Sequence, residues 1–143
     1  MKIIIECKED NDFEVVIRCN KVDDNVKKIM SLLENDKFII GKLNNRSYQI
    51  MINDIYYIEA NEDRVFLYCK DKVYETNLRL YELENKLETY FFIRISKSNL
   101  LNLNKLDNVK ALLNGRYEAM LINNEKLIIT RHYVRGFKKK FGM

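Results

Sequence analysis

The spacing of apolar residues along this chain changes several times, and each change marks an element. Ile3 to Cys7 and Phe13 to Cys19 are short runs rich in Ile, Val and Phe, separated by the polar stretch Lys8-Glu9-Asp10-Asn11-Asp12. They read as two β-strands around a turn. Val22, Val26, Ile29, Met30 and Leu33 then fall at i, i+4, i+7, i+8 and i+11, which makes one apolar face of an amphipathic helix. That face suits internal packing and a dimer contact equally. The polar turn Lys42-Leu43-Asn44-Asn45 follows. Proline is absent, glycine occurs four times, and there is no repeat or low-complexity stretch, so any domain boundary has to be tight. The division expected is an N-terminal β-β-α segment over residues 1–43, a candidate dimerisation element, and a second domain over residues 44–143.

Beyond the turn the pattern is mostly β. Arg46 to Ile52, Ile55 to Ala60, Arg64 to Lys70 and Lys72 to Thr76 read as strands, with Asp71 between the last two as a hairpin signal. Tyr56, Tyr57, Phe66, Tyr68 and Tyr74 supply the aromatics that strands favour. A helix is expected over about Leu78 to Thr89, with Asn77 as its N-cap and Leu80, Leu83 and Leu87 as its buried stripe. Phe91 to Ile95 is a strand, and Lys97 to Leu103 is a short helix or a turn. Leu106 to Leu113 and Arg116 to Ile122 are strands joined by Asn114-Gly115, a pair that tolerates positive φ. Asn123-Asn124 turns into a strand at Lys126 to Thr130, and Arg131 to Phe141 reads as a short basic helix. The expected fold class is mainly β, α+β overall, with antiparallel sheets and few short helices.

Charge sharpens this picture. Residues 1–40 hold 7 Lys/Arg against 9 Asp/Glu, and residues 41–90 repeat those counts. Residues 91–143 hold 11 Lys/Arg against 3 Asp/Glu, a balance of +8 within a total of +4. A basic third on a mildly acidic body is the footprint of a polyanion partner. No catalytic residue is assigned. His132 is the one histidine, no Ser or Cys stands in a nucleophile context, and neither common glycine-rich phosphate loop is present. The acid pairs Glu9-Asp10, Asp23-Asp24 and Glu62-Asp63 lie in polar turns or at a helix start. Cys7, Cys19 and Cys69 are widely spaced, so buried, reduced thiols in strands are expected, with no metal and no cofactor. The longest apolar runs fall far short of the roughly 20 residues of a membrane span. The start Met1-Lys2-Ile3-Ile4-Ile5-Glu6 meets an acid at once, unlike a signal peptide, and the cytoplasm is the expected location.

Helix-turn-helix, zinc-finger and basic-zipper readers are not visible, because the basic third reads as strands. DNA reading would then come from loops and turns on a β scaffold. The candidate readers are Arg94, Lys97 and Asn99 around Ser96 and Ser98, and Arg131 and Arg135 at the start of the last helix, followed by Lys138, Lys139 and Lys140. Arginine can pair bidentately with guanine, while lysine and serine hold phosphate. An RNA-binding sheet would carry paired exposed aromatics in a Gly-Phe context, and none is seen.

Several segments together resemble the LytTR-type DNA-binding domain. They are Asn53-Asp54-Ile55-Tyr56-Tyr57-Ile58-Glu59-Ala60, Arg79-Leu80-Tyr81-Glu82-Leu83-Glu84 and Phe92-Ile93-Arg94-Ile95-Ser96-Lys97-Ser98, then Asn102, Asn114-Gly115-Arg116 and Thr130-Arg131-His132-Tyr133. They follow in the family's order over about residues 45–143. The resemblance implies elongated, packed antiparallel sheets whose loops enter successive major grooves of double-stranded DNA. It implies contacts from the loop Asn61 to Arg64, from Arg94, Lys97 and Ser98, and from Arg131. It also implies a short stand-alone regulator without a receiver domain, often encoded beside a small membrane protein. The function expected is sequence-specific DNA-binding transcriptional regulation, with a homodimer suited to paired half-sites and no small-molecule substrate. The competing reading is a non-enzymatic interaction module acting with a membrane protein partner.

Overall fold

The computed structural model describes residues 2–33 and 37–143. Its first element is α1 (Asp24–Leu33), whose start is capped by the Asp23 carboxylate accepting from the Val26 amide at 3.1 Å. Ten strands follow among the described residues, joined by turns except where α2 intervenes: β1 (Phe38–Leu43), β2 (Arg46–Met51), β3 (Ile55–Asn61), β4 (Arg64–Cys69), β5 (Val73–Thr76), then α2 (Leu80–Lys86), β6 (Phe92–Arg94), β7 (Asn99–Asn102), β8 (Leu106–Ala111), β9 (Tyr117–Leu121) and β10 (Lys126–Ile129). The last element is α3 (Arg131–Phe141). Every strand pairing is antiparallel, in a seven-stranded sheet of order β2-β1-β5-β4-β3-β7-β6 and a three-stranded sheet of order β10-β9-β8.

The central strands explain the layers. Side chains alternate across a strand, so Ile58 and Leu100 point to one face of the large sheet and Tyr57 and Leu101 to the other. All four are buried. On the first face, Leu80, Leu83 and Leu87 of the α2 region close a core with Ile39, Ile50, Ile58, Leu67 and Leu100. On the second, the small sheet and α3 close a core through Ala119, Leu121, Ile129 and Phe137. Burial on both faces is why β3 reads as the continuous apolar run Ile55-Tyr56-Tyr57-Ile58 and not as an alternation. Tyr57 stacks on Tyr68 at 4.3 Å, and its hydroxyl donates to Glu125 at 2.8 Å, joining the two sheets. Burial, followed by the Glu125 carboxylate, pushes this phenol above its ordinary pKa.

Several expectations need correction. Residues 2–20 contain no strand, although Ile3 to Cys7 and Phe13 to Cys19 have strand composition. A strand exists only with a partner for its backbone groups, and the described residues offer these runs none. Lys97 to Leu103, read as a helix or turn, contains β7. Leu100 and Leu101 face opposite cores, so the segment shows no period. The strand β1 went unread, and the turn at Asn44-Asn45 is its hairpin to β2, with φ of 52° and 64°. The sheet therefore continues across the expected boundary at residues 43–44. The α2 helix starts at Leu80, with the Arg79 amide donating to Glu82 at 3.2 Å, and not at an Asn77 cap. Cys7 and Cys19 are exposed and lie outside strands, and only Cys69 is partly buried.

Burial pushes the Cys69 thiol up to about 11, so few of its molecules carry thiolate at neutral pH. At pH 7.5 a thiol-alkylating reagent should modify Cys7 and Cys19 first, with Cys69 slower by roughly tenfold or more. The Cys69 rate should climb as pH approaches 11. Peptide mass spectrometry reads the three rates separately, and equal rates at pH 7.5 would contradict the packing around Cys69.

Candidate nucleic-acid interface

The turn after β6 is built by its own side chains. Ser96 Oγ and Ser98 Oγ both donate to Asn99 Oδ1, at 2.9 and 3.0 Å, and the Ser98 amide donates to Ser96 Oγ at 3.2 Å. Ile95 is buried and anchors the turn in the second core, while Lys97 is exposed at its tip. Backbone bonds then tie this turn to two neighbours. The Ala60 amide donates to Ser98 O at 2.8 Å, and the Thr130 amide donates to Ile95 O at 3.0 Å. The end of β3, the 95–98 turn and the start of α3 thus form one continuous edge.

Arg94 belongs to the support of this edge. Its side chain is only 18% exposed, with Nη1 donating to Lys97 O at 2.7 Å and Nη2 to Glu84 of α2 at 3.2 Å. Arg64 is also engaged. It grips Glu75 of β5 through two bonds of 3.0 and 2.8 Å and lies over the Phe66 ring at 5.1 Å. The guanidinium holds the Glu75 carboxyl below its ordinary range. The tip of the β3–β4 hairpin presents Asn61, Glu62 and Asp63 to solvent, and Arg64, paired with Glu75, is itself 62% exposed beside them.

On α3 the exposed positions are Arg131, His132, Arg135, Gly136, Lys139 and, at its end, Phe141. Arg131, Arg135 and Lys139 are spaced i, i+4, i+8 and share one side of the helix. Lys138 is half-buried and sits over the Tyr117 ring at 5.0 Å, and Lys140 reaches Phe92 O at 3.5 Å. A fourth segment joins the edge here, the β8–β9 turn. Gly115 has φ +74°, and a Cβ built on it would come within 3.0 Å of Arg131 Cγ and Cδ. The arginine stem therefore packs on a glycine whose positive φ disfavours any side chain, beside the exposed Arg116. Sequence reasoning took Asn114-Gly115 as a hairpin signal and as one segment of the family resemblance, and placed no contact there. The feature that marks it as part of the site is its contact with a residue 16 positions away, which no local pattern contains.

Asn61, Lys97, Ser98, Arg131 and Arg135 therefore stand together on this edge. Arg64, Arg94 and Lys138 are held by other protein groups. Among the described residues no group of three or more His, Cys, Asp or Glu side chains could hold a metal ion, and no helix is long and apolar enough to cross a membrane.

Residues 45–142 match the family model described as the LytTr DNA-binding domain. Over 98 residues the chain is 30% identical to sensory transduction protein LytT of Enterococcus faecalis, covering 68% of this chain and 40% of that protein. It is 26% identical to sensory transduction protein LytR of Staphylococcus haemolyticus, covering 71% of this chain and again 40% of the relative. The chain thus spans well under half the length of these two proteins. An uncharacterized HTH-type transcriptional regulator of Staphylococcus aureus is 24% identical, with 100% of this chain and 98% of that one aligned. Among solved structures, the LytTr DNA-binding domain of a protein described as a methyl-accepting/DNA response regulator from Bacillus cereus superposes with a TM-score of 0.71. That match has 19% identity and covers 75% of this chain and 98% of that one.

The Arg94 contacts carry a prediction. Arg94→Lys cannot span Glu84 and Lys97 O with one planar fork, so it should destabilise the protein by about 1–2 kcal/mol. Urea denaturation measures this, and an unchanged midpoint would remove Arg94 from the support of the turn.

Proposed function

Because the chain belongs to the LytTr DNA-binding domain family, with residues 45–142 matching its model, we propose that it is a transcriptional regulator of double-stranded DNA. On this reading it is cytoplasmic, homodimeric and not an enzyme, and it recognises a specific sequence by placing loops of a β scaffold in the major groove. The observation that carries the reading is the stitched edge. Two backbone bonds, Ala60 N to Ser98 O and Thr130 N to Ile95 O, fix three loop segments in one rigid row at the basic end of the chain.

The proposed contacts divide by chemistry. Arg131 is the base reader, since its stem is seated on Gly115 and a guanidinium can meet both acceptors of a guanine edge. Lys97 at the turn tip and Arg135 and Lys139 along the exposed side of α3 hold phosphates, joined by Arg116. Asn61 offers amide hydrogen bonds from the first loop. The Ser98 hydroxyl keeps its lone pairs for an incoming donor, its proton being committed to Asn99. Arg94, Arg64 and Lys138 act by positioning, since their cationic groups are already engaged.

Selection from a random double-stranded DNA library at near-physiological salt should enrich a short motif, repeated at a spacing of about one helical turn. Arg131→Ala should weaken binding to that motif by roughly tenfold or more while leaving non-specific binding almost unchanged. Lys139→Ala should weaken both and lower the salt slope by about one unit. Salt-sensitive binding without enrichment would replace the DNA reading with that of an interaction module using a basic face on a membrane protein. Equal losses on both DNAs for Arg131→Ala would reduce that residue to a phosphate contact.

A further inference from the structure

Residues 2–19 carry apolar surface that the described chain leaves uncovered. Ile3 and Ile5 are 76% and 82% exposed, Phe13 is fully exposed, and Val15 and Val16 are more than half exposed. The two runs flank a turn closed by the Asn11 amide donating to Lys8 O at 3.2 Å, yet neither joins a ladder. A cluster of large exposed apolar residues beside unpaired backbone marks an interaction surface, and strand composition marks the form the interaction takes.

The sequence of the second run identifies the occupant. Written antiparallel to itself about Val16, the segment Phe13-Glu14-Val15-Val16-Ile17-Arg18-Cys19 matches at every position. Glu14 meets Arg18 twice, Val15 meets Ile17, Phe13 meets Cys19, and Val16 meets its own copy. Phe13, Val15, Ile17 and Cys19 share one face and the Glu14–Arg18 pairs share the other. Sliding the pairing by two residues in either direction puts Glu14 or Arg18 against Val16 and loses both Glu14–Arg18 pairs. The first run does not behave this way, since pairing about Ile5 sets Lys2 against Lys8. Residues 2–19 hold 3 Lys/Arg and 5 Asp/Glu, a balance that disfavours an anionic lipid surface.

We propose that residues 13–19 form a two-fold antiparallel strand pair with the same segment of a second copy of this chain. The Ile3–Ile5 runs of both copies close over its apolar face. A two-stranded ribbon alone is marginal in water, so this cover is what makes the pair hold. A two-fold axis through Val16 gives each chain the same patch, as isologous dimers require. The pairing deepens the homodimer of the proposed function, and it is measured without DNA, so its failure and that of the DNA reading are separable.

Two experiments on the full chain test it. In sedimentation at tens of micromolar the protein should be dimeric. Glu14→Arg alone, and Arg18→Glu alone, should each weaken the dimer by about tenfold or more, because each creates two like-charge cross-strand pairs. The double variant Glu14→Arg/Arg18→Glu should return to near the starting affinity. Val16→Cys in a Cys7→Ser/Cys19→Ser background should form a disulfide dimer quickly under mild oxidation, since directly opposed Cα atoms lie about 4.5–5.5 Å apart and within disulfide reach. Asn11→Cys in the same background should cross-link slowly. A monomer throughout the concentration range overturns the proposal. So does a double variant no tighter than the single ones, or equal cross-linking at residues 11 and 16.

Discussion

The pairing of β3 with β7 sets Ile58 opposite Leu100 on one face and Tyr57 opposite Leu101 on the other, so a single ladder feeds two cores. Truncating a fully buried Leu or Ile typically costs about 2–5 kcal/mol. Here the loss at either leucine would loosen a different layer, α2 for Leu100 and the small sheet with α3 for Leu101. Asn102 closes the same strand. It is fully buried, donates to Ile55 O at 2.9 Å and accepts from the Asn104 amide at 3.0 Å. A buried amide with both ends satisfied fixes register more sharply than apolar packing alone.

The edge proposed for recognition inherits its rigidity from this ladder. The Glu59–Asn99 pair is the last step of β3·β7, and the next bond along it, Ala60 N to Ser98 O, already belongs to the edge. Ile95 extends the second core to within one residue of Ser96. Loops that carry recognition are usually the mobile part of a fold. These are held at both ends by buried strands and internally by Asn99, so the chain loses little further conformational freedom when a rigid partner docks.

Where hydrophobic period and local turn chemistry decide the outcome, the sequence was legible. The Leu80, Leu83 and Leu87 stripe, the hairpins at Asp71 and Asn114-Gly115, and the basic last helix all follow from neighbours within about four residues. The misses have a common cause. Residues 3–7 and 13–19 have strand composition but no partner strand among the described residues. Leu100-Leu101 is strand because two layers meet there, and Phe38 to Leu43 is strand because β2 and β5 flank it. Strand state is a property of pairing, and pairing partners lie far along the sequence.

The same distinction governs the candidate site. Charge along the chain located the basic third and, with the family resemblance supplying Arg64, set Arg64, Arg94 and Lys138 beside Lys97, Arg131 and Arg135 as candidates. Structure divides them by what each cation already touches: Glu75, Glu84 with Lys97 O, and the Tyr117 ring for the first three. A guanidinium already paired with protein acceptors gains less from a phosphate, because reaching it would exchange one set of charge-assisted bonds for another. Its contribution is to fix the backbone on which the uncommitted cations stand. Arg94 does so most directly, since the carbonyl it holds belongs to Lys97, the exposed residue at the tip of the turn. A composite edge of this kind needs both classes of cation, one to set the geometry and one to meet the ligand.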